Sequence, residues 1–216
     1  MGGLFSIGTA AVHNEPAINA VAMVASPFDT SQNPLVRPVQ LAGRVTGGRL
    51  VGTAARVVGG LPGPVVSASF KLTALPTYIN KPMTAWSRRD DRESLAHVEA
   101  VDVLMNNMVA YPGRASIQVW QQLVVRNELA TGRVHGPTRV LDLADVRVPV
   151  MNIAGTSDVL VTVPMADHVG LLANAPQVRL QTAPGGYLGV RTGRSAAMTT
   201  WPLIEEFLDA HQPAAV

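Results

Sequence analysis

The segment Ala20-Val21-Ala22-Met23-Val24-Ala25 is wholly apolar and stops at Ser26-Pro27. A continuous apolar run, rather than alternation of apolar and polar residues, predicts a strand covered on both faces, the setting of a parallel sheet. Ahead of it, Gly3 to Val12 is rich in small and apolar residues and closes before Pro16, which reads as a short buried helix. The same rhythm returns late in the chain. A strand is expected over Val148 to Ala154, a polar loop over Gly155 to Asp158, and a helix over Pro164 to Ala173. A strand over Val178 to Thr182, a glycine loop over Pro184 to Gly186 and a last helix around Trp201 to Ala210 complete the series. Strands alternating with helices predict an α/β fold with a parallel sheet, built from 1–33 and 138–216.

Between these parts, from Pro34 to Pro137, the texture changes. Over Leu95 to Val109, Leu95, Val98, Val101, Val103, Leu104, Met105 and Met108 share one broad helical face, and a second helix is expected over Ala115 to Leu129 after Pro112-Gly113. We expect residues 34–137 to form an all-helical insertion or lid. Its glycine pairs Gly47-Gly48 and Gly59-Gly60 fit no phosphate-binding pattern and read as lid hinges. The charge run Arg88 to Glu93 reads as a solvated helix start capped by Asp90 or Asp91.

Composition narrows the classes. With 216 residues, 47% apolar and 15% charged, the chain can bury a sizeable core, and a net charge of +2 spread along the sequence gives no dense basic face for nucleic acid. There is no cysteine, hence no disulfide framework and no thiolate ligand or nucleophile. No apolar run reaches the roughly 18 residues of a membrane span, and the N-terminus has no basic n-region, so cytoplasmic location is the default expectation. Gly2 and Ser6 formally satisfy a myristoylation pattern that short sequences match by chance. His13 and His97 fall on expected helices, His135 in a Gly-Pro loop and His211 in the tail, with no metal-ligand spacing on any one element, so no metal or cofactor is expected.

Functional groups of open α/β sheets sit on loops beyond the carboxyl ends of strands. Two loops qualify: Ile153-Ala154-Gly155-Thr156-Ser157-Asp158 and Ala183-Pro184-Gly185-Gly186-Tyr187-Leu188-Gly189. An acid on one and a base on the next is the α/β-hydrolase arrangement, in which the carboxylate orients the imidazole that takes the nucleophile's proton. Asp158 fits the acid; Tyr187 stands where the base would be. Asp158 also suits a simple turn or helix cap, and Tyr187 a loop aromatic packed on the lid. His168, the histidine nearest the acid in sequence, reads as a helix-face residue rather than a substitute base.

Met1-Gly2-Gly3 is similar to the end of a nucleophile elbow; Ala10 to Asp29, Arg126 to Gly132, Val140 to Val150, Pro184 to Val190 and Thr200-Trp201-Pro202 follow in order. Together these stretches resemble the polyhydroxyalkanoate synthases. Ala10 to Asp29 resembles the segment from the elbow helix into the next strand, Arg126 to Gly132 and Val140 to Val150 the stretch after the lid, and the last two the histidine loop and final helix. The resemblance implies acyl transfer or ester or thioester hydrolysis through a covalent acyl intermediate. It further implies acyl-CoA, acyl ester or lipid-like substrates and a place at the surface of lipid or polymer inclusions. By the same resemblance the nucleophile would precede Met1, whose N–H would be an oxyanion donor, and a histidine would stand at Tyr187. A phenol is a poor general base at neutral pH, so the resemblance implies a truncated chain with a degenerate triad. Trp86 and Trp120 would then shape an acyl pocket, or else pack between lid helices. A non-catalytic module is the competing reading: the strand over residues 20–25, left as an edge, would pair with a second copy or a complementary N-terminal subunit.

Overall fold

The computed structural model describes residues 2–13, 17–48, 59–73, 91–136 and 138–212, together with residues 53, 83, 86 and 89. Two compact units are distinguished: Met1–Val45 with Gln121–Val216, and Thr46–Trp120. The second is shorter than the expected 34–137 insertion.

In the first unit, helix α1, Gly2–His13, leads to strand β1, Val21–Val24. The left-handed backbone of Ala25, φ 47°, ends β1 one residue before the apolar run does. Helix α2 covers Val36–Val45. The second unit holds helices Gly63–Thr73 and Arg92–Asn106, the latter beginning directly after Asp91; Asp90 lies outside the described residues. It also holds strands β2, Gly60–Leu61, and β3, Tyr111–Pro112, which pair antiparallel. The insertion is therefore not all-helical. Gly59 and Gly60 belong to that pairing, Gly59 accepting through its carbonyl from Gly113 N at 3.0 Å, rather than to a free hinge.

The single helix expected over Ala115–Leu129 is instead three pieces: an α-helix Gly113–Val119, a π-helical stretch Trp120–Val125 and a 3-10 turn Glu128–Thr131. The break falls where Asn127 turns left-handed, φ 51°, to hand its amide to Asp29. Strands β4, Arg133–His135, and β5, Val140–Asp142, form a second antiparallel pair. His135 thus sits in a strand, 3.3 Å from Glu128 Oε2 through its Nδ1, and not in a loop.

Strand β6, Val150–Gly155, and strand β7, Val178–Ala183, complete the main sheet, which is parallel throughout in the order β1-β6-β7. Val21 registers with Val150, and Val150 with Val178. Every residue of β6 is buried, Val150 in one core and Met151, Ile153 and Ala154 in the other. Val150 packs with Val21, Met23, Ile7 and Phe28. Met151 and Ile153 pack with Val190 and with Phe207 of the last helix, Thr200–Asp209. The expected helix Pro164–Ala173 is an α-helix only over Val163–Asp167 and tightens to a 3-10 turn over His168–Leu171. Asn152, buried mid-strand, donates to Ser26 O at 3.0 Å and Ala166 O at 2.9 Å, tying β6 to the exit of β1 and to that helix.

Beyond β1 a polar network anchors the chain. Asp29 Oδ1 accepts from Ser31 N, Ser31 Oγ and Asn127 Nδ2 at 2.9, 2.6 and 2.7 Å, and Oδ2 from Gln32 Nε2 at 3.0 Å. Asn127 Oδ1 accepts in turn from Thr30 N and Thr30 Oγ1. Gln40 of α2 donates to Val124 O at 2.9 Å. Burial alone would raise the Asp29 carboxyl, but the donors from Ser31, Asn127 and Gln32 outweigh it and pull it from 3.8 down to about 2. A depressed carboxyl contributes stability that is complete above the ordinary value and is lost as pH falls from 3.8 towards about 2. Asp29→Asn is therefore expected to lower the urea midpoint at pH 6 and to flatten the acid limb of stability between pH 4 and pH 2; an unchanged acid limb would refute the assignment.

Candidate functional site

Three loops emerge at the carboxyl end of the parallel sheet, and hydrogen bonds join them. From the β6 loop, Thr156 N donates to Ala183 O at 3.0 Å and Ser157 N to Gly185 O at 3.1 Å, both on the β7 side. This approach demands glycine at two places. A Cβ on Gly155 would lie 2.4 Å from Gly185 O, and Gly185 itself has φ +124°, with a Cβ there 2.7 Å from Gly189 C. From the β1 loop, buried Asn33 donates through Nδ2 to Val159 O and Leu160 O, both at 3.0 Å, and so braces the chain just after Asp158.

Asp158 is 6% exposed. Its Oδ1 accepts from Leu160 N at 2.8 Å and Val161 N at 2.9 Å, while Oδ2 is buried without a hydrogen-bond partner among the described residues. Burial raises the carboxyl above its ordinary value; the two backbone donors and the charge of Arg191 oppose the rise without cancelling it. One oxygen is thus held in place and the other left as an open acceptor, the arrangement of an acid that orients a separate donor.

Tyr187 lies in the β7 loop, half-buried and packed against the core that holds Met151 and Ile153. The Arg191 guanidinium stacks 4.4 Å above its ring. Arg191, on the short helical turn Gly189–Thr192, also donates through Nη2 to Val24 O at 2.7 Å and Ala25 O at 3.4 Å. The structure therefore places Asp158 and Tyr187 on adjoining, hydrogen-bonded loops, and adds Arg191 and Asn33, which sequence reasoning missed. A usable signal existed for the β1 loop: it too follows a buried parallel strand, and Asp29 to Asn33 is dense in side chains that bond to nearby backbone.

The other candidates stand elsewhere. Met1 lies outside the described residues. Trp86 is 72% exposed with the Arg89 guanidinium 5.0 Å over its ring, and Trp120 opens the π-helical stretch with its indole nitrogen buried and without a hydrogen-bond partner among the described residues. His168 Nε2 is engaged with Ala130 O at 3.0 Å. Among the described residues no cluster of three or more metal-ligating side chains exists, and no helix is long and apolar enough to cross a membrane.

No protein-family model matches this chain, nor does any curated protein. Among solved structures it is similar to the monoacylglycerol lipase of Paleococcus ferrophilus, at 14% identity and TM-score 0.52 over 97% of this chain and 65% of that one. It is similar likewise to BpoC of Mycobacterium tuberculosis H37Rv, assigned as a non-heme bromoperoxidase, at 13% identity and TM-score 0.52 over 98% of this chain and 65% of that one. The chain thus spans less than two thirds of the length of either. At such identities the likeness is one of fold, and the fold is that of the α/β hydrolases.

Asp158 carries a test of its own. Because burial raises the Asp158 carboxyl, it costs the folded state stability at pH values above the ordinary carboxylate range, and the cost disappears as pH falls from the raised folded midpoint towards that range. Asp158→Asn is expected to melt higher than the parent at pH 7, the gap closing as pH drops towards the ordinary carboxylate range. A lower melting temperature at pH 7, followed by circular dichroism, would show that the carboxylate has a supporting donor.

Proposed function

We propose that this chain derives from acyl-transfer or ester-hydrolysis enzymes similar to the polyhydroxyalkanoate synthases, and that the described residues do not by themselves form a working triad. The observation that carries the reading is the buried Asp158 carboxylate, fixed on Oδ1 by two backbone amides and open on Oδ2, beside the loop that carries Tyr187. An imidazole at position 187 would supply the N–H that such an acid orients and the nitrogen that accepts the nucleophile's proton; a phenol supplies no such nitrogen. The substrate class in this reading is an acyl-CoA, acyl ester or lipid-like molecule, with Trp86 and Trp120 as acyl contacts. Work at the surface of lipid or polymer inclusions follows from the same resemblance.

The test is hydrolysis of a short p-nitrophenyl ester by the native chain, by Tyr187→His, and by an N-terminally extended Tyr187→His form carrying an elbow nucleophile. Turnover is expected in the last form alone, at least about 100-fold above the native chain, because triad members act as a unit. Native activity that survives Asp158→Ala would overturn the site assignment.

A second reading rests on the outer edge of β1. Val21 N bonds to Pro149 O just before β6 at 2.9 Å and Ala25 N to Ile153 O of β6 at 2.8 Å, so Ala22 and Val24 face the opposite edge, where the described residues supply no strand and, of these two, Arg191 takes only the Val24 carbonyl. Such an edge is a template for pairing with a second copy or a complementary subunit, which would make the chain a non-catalytic interaction module. Size-exclusion chromatography with light scattering is expected to show a dimer or larger species, and a stable monomer at micromolar concentration would remove this reading.

A further inference from the structure

We infer that Arg191 is the positioning residue of this site, the side chain that locks the Tyr187 loop to the end of β1. The inference rests on the acyl-transfer reading for what the site does, but its geometry stands independently. Arg191 joins its own β7 loop to the end of β1. Its Nη2 bonds two successive carbonyls, Val24 O at 2.7 Å and Ala25 O at 3.4 Å. Those carbonyls lie at the end of β1, where Ala25 takes the left-handed backbone, φ 47°, that an alanine rarely adopts. The guanidinium carbon lies 4.4 Å from the centroid of the Tyr187 ring, so the ring cannot swing away without losing that contact. The charge, held in place by these contacts, acts on Asp158 from the β7 side.

A lysine would keep the charge but not the planar fork that bonds two carbonyls while stacking on an aromatic face. A glutamine would keep an N–H for Val24 O without the charge. A methionine would keep only the apolar stem. The three substitutions therefore separate charge, hydrogen bonding and packing. Asp158 is braced on its other side by the neutral Asn33 amide, which holds the carbonyls of Val159 and Leu160, and Tyr187 is the titratable group that Arg191 covers on the same loop. Among the described residues no other charge opposes the rise of the Asp158 carboxyl.

The experiment is a carbon-13 NMR titration of the Asp158 carboxyl in the full chain, with the Tyr187 ring resonances recorded in parallel, for the parent and for Arg191→Lys, Arg191→Gln and Arg191→Met. The Asp158 midpoint is expected to rise in the glutamine and methionine forms and to stay near the parent value with lysine. The Tyr187 ring resonances should move in all three, because none restores the stack. A merely structural arginine would shift the melting temperature without sorting the Asp158 midpoint by charge. Equal midpoints in all four proteins, or Tyr187 resonances unchanged in the methionine form, would overturn the inference. Should methionine fail to fold, the lysine and glutamine pair decides it. In the extended Tyr187→His form, Arg191→Gln should lower kcat by roughly tenfold with KM little changed. If that form hydrolyses no ester, the acyl-transfer reading fails while the titration still judges Arg191.

Discussion

The pairing of β6 with a parallel strand on each side sets the position of everything else in the first unit. Because β1, β6 and β7 run the same way, their carboxyl ends lie at one edge of the sheet, and the loops that follow them must meet there. The meeting is direct: the amides of Thr156 and Ser157 bond to carbonyls at the end of β7 and in its loop, and Asn33 from the β1 loop holds Val159 and Leu160. Both cores of the unit press on β6, whose side chains are buried without exception. A strand enclosed in this way has no slack in register, since a slip of one residue would exchange the two faces. The loops inherit that rigidity, which is the condition for holding a catalytic or binding geometry.

Two buried carboxylates at this edge have opposite electrostatics. Asp29 receives four hydrogen bonds, spread over both oxygens, and its carboxyl falls to about 2. Asp158 receives two on one oxygen and none on the other, and its carboxyl rises. The first is saturated: its charge is fully used in tying residues 29–32 to Asn127. The second retains an unfilled acceptor in a poorly solvated place, which is how a carboxylate that orients a partner differs from one that only anchors a turn.

Where sequence reasoning and structure part, a long-range contact is the reason. The apolar periodicity of residues 115–129 is helical, yet Asn127 leaves the helix because its amide is worth more bonded to Asp29 and Thr30, which lie about a hundred positions away in the chain. Local propensity is a weak prior beside a buried hydrogen-bond network. The pairing of Gly60-Leu61 with Tyr111-Pro112 was invisible for a similar reason, since two-residue strands carry no periodicity and the partners are 50 positions apart. Arg191 could not be singled out from sequence because an arginine four residues past Tyr187 is indistinguishable from any solvated one until the end of β1 is brought beneath it.

The sequence by itself determined the parallel sheet, the order of its strands along the chain, and the two loops that carry Asp158 and Tyr187. It could do so because continuous apolar runs ended by small and polar residues are local signals of buried strands and their exits. Only the tertiary structure decided which strands are neighbours, that β6 lies between β1 and β7, and that Asp158 keeps one oxygen without a partner. The same holds for the grip of Arg191 on Tyr187 and β1. Those properties depend on what chain folding brings together across more than a hundred residues, and on how much water is excluded when it does.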